Sequence, residues 1–76
     1  MRLDTRVNPT EASYYQVIDR ESGQLLMGVL AADDEESWYE VYKFDDKGQH
    51  VKDADGEFVV LVKRARLQFR HMMGVP

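Results

Sequence analysis

Cysteine is absent from the chain, which excludes a disulfide framework and thiolate metal ligation as supplements to its core. No apolar run approaches the length of a membrane span; the longest are Leu25 to Leu30, interrupted by Gly28, and Phe58 to Val62. Met1 to Arg6 lacks the apolar stretch of a signal peptide, and a cytoplasmic setting is therefore expected. Histidine occurs only twice, at His50 and His71, with no His-x-x-x-His spacing. Neither a glycine-rich phosphate loop nor a nucleophile elbow around Ser13, Ser22 or Ser37 is present. Acids are missing altogether from Phe58 to Pro76.

What is present is unevenly charged. Ala31 to Glu57 holds 10 acids against 3 lysines, whereas the last nineteen residues hold Lys63, Arg64, Arg66 and Arg70. The 76 residues, with a net charge of -4, thus form a dipolar chain, which favours self-association or a charge-complementary partner. One domain with a thin core is the most that such a length supports. Trp38, four tyrosines and three phenylalanines are many for so small a core, and a homodimer is expected to cover some of them.

Local patterns predict mainly strands. Residues 1–13 read as an irregular lead-in with a turn at Asn8-Pro9-Thr10 and room for one helical turn after it. Tyr14 to Arg20 and Leu25 to Ala31 read as a β-hairpin around Glu21-Ser22-Gly23-Gln24, with Gly28 marking a bulge, bend or close crossing. Trp38 to Phe44 is rich in aromatic and β-branched residues and reads as a strand with Trp38, Glu40, Tyr42 and Phe44 on one side. Asp45-Asp46-Lys47-Gly48 and Asp53-Ala54-Asp55-Gly56 are turn signals. Phe58 to Phe69 reads as the longest strand, one face of which becomes basic at Arg64. The expected fold is all-β: a small antiparallel meander of four to five strands, coiled into a strongly curled sheet or open barrel. The domain spans residues 14–70, with a tail over 71–76. The competing fold is α+β, with a helix near 34–46 or 62–72.

Reactive chemistry finds little support. Asp53-Ala54-Asp55-Gly56-Glu57-Phe58 echoes a calcium loop, but the flanking ligand positions hold Val51 and Val62. His50 and His71 lack a spaced third metal ligand, and the carboxylates of Asp33 to Glu36 lack apolar surroundings that raise a pKa. No cofactor, metal site or enzymatic activity is expected. Two binding readings remain. Asp33, Asp34, Glu35, Glu36, Trp38, Tyr39 and Glu40 make an acidic-aromatic set suited to a protein partner, a basic one included, in an inhibitory or accessory role. Lys63, Arg64, Arg66 and Arg70 make the alternative, a nucleic-acid-binding strand with Tyr39, Tyr42 or Phe58 to stack on bases. The negative net charge opposes that alternative, and cross-strand pairing with acids such as Glu40 accounts for the arginines without it.

Overall fold

Aspartates anchor most of the chain's reversals. The Oδ1 atom of Asp19 accepts from the backbone N–H groups of Glu21 and Ser22, and that of Asp33 from Glu35 and Glu36. Asp45 accepts from Lys47 and Gln49 in the same way, and Asp53 from Asp55 and Glu57. A short carboxylate reaching its own backbone two to four residues on stabilises a turn better than a ladder, so strands stop at these positions. Between the reversals the computed structural model, which describes residues 1–72, contains seven strands and one turn of helix.

The strands are β1 (Arg2–Asp4), β2 (Tyr15–Asp19), β3 (Leu25–Leu26), β4 (Val29–Asp33), β5 (Trp38–Tyr42), β6 (Val60–Arg64) and β7 (Leu67–His71). The helix α1 (Pro9–Ala12) has Pro9 at its start and Asn8 as N-cap, whose side chain accepts from the Glu11 N–H. All pairings are antiparallel, in two separate sheets. Sheet I has the order β1-β4-β5-β6 and sheet II the order β3-β2-β7.

This corrects the expected fold. The chain is mostly β, as read, but it is not a curled meander or open barrel of four to five strands; its two sheets are neither closed nor strongly curled. The helices near 34–46 and 62–72 are replaced by β5, and by β6 and β7. The cause lies at two crossings. The hairpin of β2 and β3 forms, with Val17 opposite Leu26 and Ile18 opposite Leu25. Its second strand then breaks at Gly28, whose φ of 67° turns the chain into sheet I as β4. The long run from Phe58 to Phe69 also breaks, at Ala65 and Arg66 and without a left-handed residue, so β6 ends in sheet I and β7 begins in sheet II. Arg2–Asp4, within the expected irregular lead-in, adds to sheet I as an edge strand. His71 closes β7, and residues 73–76 of the expected tail lie outside the described residues.

The core sits where the sheets overlap. Leu3, Ala32 and Tyr39 are register neighbours in sheet I and project to one face. Val17, Leu67, Leu26 and Phe69 project from sheet II, and Val17, Ala32 and Leu67 form the buried cluster with Val29, Tyr39 and Ala65 around it. Among the described residues five apolar side chains are buried, two of them alanines, and one of those, Ala31, lies in the opposite-facing row with Asp4 and Glu40. So small a core makes each large member costly to lose.

Candidate functional site

The inner face of sheet I meets sheet II, so its outer face is the broad surface on which β4, β5 and β6 display side chains. Register fixes its members. Arg2, Asp33, Trp38 and Arg64 form one row; Asp4, Ala31, Glu40 and Val62 form the next, and Tyr42 with Val60 a third. In the first row the Arg2 guanidinium lies 5.1 Å from the Trp38 ring centre, within cation–π range. In the second, Arg6 reaches across to both Asp4 and Glu40, donating from Nε to Asp4 Oδ1 at 3.1 Å. Ala31, between those acids in the register, is only 1% exposed.

The ion pairs shift the groups that make them. The Arg6 side-chain hydrogen bond, reinforced by the Arg6 backbone N–H, holds the Asp4 carboxyl below its usual range against the opposing effect of burial. Asp4 first and Glu40 second raise the already high Arg6 pKa.

Beyond Tyr42 the chain forms an arm, residues 43–59, built from two copies of one eight-residue unit. Phe44-Asp45-Asp46-Lys47-Gly48-Gln49-His50-Val51 is followed by Lys52-Asp53-Ala54-Asp55-Gly56-Glu57-Phe58-Val59. The copies share Asp, Gly and Val at equal spacing, and they share their hydrogen bonds. The Asp45 N–H donates to Gln49 O, and Gly48 N–H to Asp45 O; Asp53, Glu57 and Gly56 repeat both bonds at the same distances, 2.8 and 3.0 Å. A three-way cycle closes the arm: Lys43 N–H donates to Val59 O, Val59 N–H to Val51 O, and Val51 N–H to Lys43 O. Sequence reading had both turns but missed the repeat, whose signal was the Asp-x-x-Gly-x-x-Val spacing. The structure also gives Asp53, singled out by the calcium echo, a structural role, since its Oδ1 atom receives two backbone N–H groups.

This arm gathers four rings. His50 stacks on Phe58 with centroids 4.3 Å apart and planes 16° from parallel, while Tyr42 meets both rings edge-on at 5.2 and 5.5 Å. Phe44 lies 4.6 Å from His50, and the Lys52 ammonium lies 5.8 Å from the Phe58 ring centre. Phe44 and Phe58 are 53% and 43% exposed, so the packed rings present contiguous apolar surface to solvent. None of these arm residues stood among the protein-binding candidates.

The candidates themselves are dispersed. Asp33 is spent on the β4–β5 turn, Asp34 takes the terminal amine of Met1 at 2.7 Å, and Glu35 lies 3.3 Å from the same amine. Glu40 serves Arg6. Among the described residues Asp33 and Glu36 of the run form no ion pair, and Glu36 alone has no hydrogen bond through its side chain either. Trp38 and Glu40 stand on the outer face, whereas Tyr39 packs inward against the core. The basic set is also divided. Arg64 stands on the outer face beside Trp38 and Lys63 on the opposite face, in register with Tyr39. Arg66 lies at the crossing between sheets, beside Arg20, Glu21 and Asp34. Arg70 belongs to sheet II, where its Nε donates to Gln16 Oε1 at 3.0 Å. The strand break therefore removes the shared face expected for Arg64 and Arg66.

An aliphatic cleft of about 290 Å³ opens where the chain leaves sheet II, lined by Leu3, Leu26, Met27, Val29 and Met72 among others. No helix among the described residues is long and apolar enough to cross a membrane. No family model, curated protein or solved structure matches this chain.

Proposed function

We propose that this chain is a protein-interaction module, inhibitory or accessory in role, that receives its partner on the outer face of sheet I and the adjoining arm. The observation that carries the proposal is the ring cluster of half-buried Tyr42 with exposed Phe44, His50 and Phe58, on the side of the sheet that also displays Trp38. Aromatic side chains that give a monomer little core yet lie in contact with one another are suited to anchor a partner's apolar side chain. The arm also supplies the charge. Asp45 and Asp53 hold its turns, but Asp46, Asp55 and Glu57 are exposed and take part in no ion pair among the described residues. A basic partner segment with an apolar anchor fits both features. This moves the acidic-aromatic surface from residues 33–40 to the arm, retaining Trp38 and Glu40. Self-association is part of the same reading, because the core hides few of the aromatics.

One observation keeps a second reading: Arg2 and Arg64 lie in one row with Trp38, an arrangement that also suits a phosphate beside a stacked base. Titration with an arginine-rich peptide and, separately, with a single-stranded oligonucleotide decides between them. Peptide binding that shifts the amide signals of Tyr42, His50 and Phe58, and that Phe58→Ala weakens by about tenfold, is the expected result. Oligonucleotide binding that weakens steeply with salt and depends on Arg64 favours the second reading. Shifts confined to sheet II refute both.

A further inference from the structure

We infer that β6 pairs with β6 of a second copy, joining two four-stranded sheets into one of eight strands. The inference rests on the self-association just proposed and is independent of the partner-binding face. It begins from hydrogen-bond accounting. Ala65 N–H donates to Ser37 O and Lys43 N–H to Val59 O, so the odd-numbered residues along this stretch bond inward to β5. Antiparallel alternation then turns the N–H and C=O groups of Val60, Val62 and Arg64 away from β5. Among the described residues no strand lies beyond β6 to receive them. The edge is defended at one end only. Lys63 and Arg64 put two cations there, whereas Val60-Leu61-Val62 carries no charge, proline or bulge, and Val62 is 62% exposed.

The sequence selects the occupant and the register. When two copies of β6 run antiparallel about Val62, Val62 opposes the partner's Val62, and Val60 opposes the partner's Arg64. All three outward-facing residues then meet outward-facing residues, which gives about six backbone hydrogen bonds. Centring the pair on Leu61 or Lys63 leaves only two such matches within the strand, and the latter also sets the two Lys63 side chains against each other. About Val62 no like charges are opposed; Lys63 faces the partner's Leu61. On the outer face Arg64 comes beside the partner's Val60, the register neighbour of Tyr42, so the Trp38 end of one sheet meets the aromatic end of the other.

The absence of cysteine makes the register directly readable. Opposed hydrogen-bonded residues have Cα atoms about 5.5 Å apart, within disulfide reach. Val62→Cys is therefore expected to crosslink to itself under mild oxidation. Val60→Cys and Arg64→Cys are expected to crosslink only when mixed, since each lies on the order of 13 Å from its own copy. Val62→Lys, at a site exposed in the monomer, is expected to weaken dimerisation by about tenfold or more in sedimentation equilibrium. A purely monomeric wild-type chain at high micromolar concentration overturns self-association and this inference together. A stable dimer in which Val62→Cys fails to crosslink, or Val60→Cys alone crosslinks equally well, overturns the edge pairing and leaves self-association standing.

Discussion

Gly28 offers a clean perturbation of this fold, because its replacement changes backbone energy and little else. The residue holds φ at 67° where the chain passes from β3 to β4, and a Cβ built there meets no atom within 4 Å. Gly28→Ala therefore introduces no clash. Its native-state penalty is the left-handed conformation of an L-residue, about 1–2 kcal/mol. Against that, alanine restricts the unfolded chain more than glycine does, recovering about 0.4–1 kcal/mol. The net expectation is a loss of about 1 kcal/mol, which for a chain of this size lowers Tm by about 6 °C. Asparagine tolerates the left-handed region better, so Gly28→Asn is expected to fall between glycine and alanine. Far-UV circular dichroism melts, run at one fixed protein concentration because a dimer's Tm depends on it, measure all three chains. If Gly28→Ala melts at or above the wild-type temperature, the crossing does not depend on a left-handed residue, and the account of why the hairpin strand leaves sheet II is wrong.

Other perturbations separate the core, the ion pairs and the arm. Leu67→Ala removes the largest side chain of the central cluster, 3% exposed, and is expected to cost about 2–4 kcal/mol in urea melts; a loss under about 1 kcal/mol would show that the sheets do not depend on that contact. Arg6→Ala frees two carboxylates whose side chains are 13% and 19% exposed, and about 1 kcal/mol is expected after allowing for Arg6's own exposure. Asp4 has a lowered native pKa, so its share of that difference is complete above the ordinary carboxylate value of about 3.9 and vanishes as pH falls through the lower native value. A wild-type advantage that grows on acidification would contradict the assignment. Asp53→Ala deletes an acceptor for two backbone N–H groups, and hydrogen exchange is expected to speed up at Asp55 and Glu57 by roughly fivefold or more while the β2 amides stay protected; equal acceleration in β2 would make the arm part of the global unfolding unit.

The sequence carried the features that local chemistry decides. The β2–β3 hairpin follows from β-formers flanking a glycine-bearing turn, and β5 follows from Trp38 to Tyr42 preferring a strand despite the acids before it. Alternation alone put Trp38, Glu40 and Tyr42 on one side and Tyr39 on the other, and the structure has them so. What period-two alternation lacks is any record of which sheet a strand belongs to. Leu25 to Ala31 and Phe58 to Phe69 each read as one strand and each serve two sheets, because the break is made by one or two residues and its destination by contacts far away in sequence. β1 was illegible for the same reason: three residues with no local partner become a strand only because β4 supplies an edge.

The candidate site was obscured by charge counted without its partners. Ten acids between Ala31 and Glu57 looked like a field presented to the outside, yet Asp33, Asp45 and Asp53 each bind backbone N–H groups at a turn, and Glu40 is held by Arg6. An aspartate two residues before a chain reversal is better explained by the N–H groups it can reach than by an absent partner, and that rule was applicable without coordinates. It splits the acids into two kinds. Those that begin a turn hold it, Asp45 and Asp53 thereby building the arm, and Asp46, Asp55 and Glu57 within the arm are left to act outward. The same subtraction applies to the aromatics. Tyr39 is committed to the core, so the rings available for recognition are those the repeat brings together, His50 from one copy and Phe58 from the other, at the seventh position of each unit. Duplication of a turn thus places two rings where a single turn would place one, and the surface proposed for binding follows from that doubling rather than from net charge.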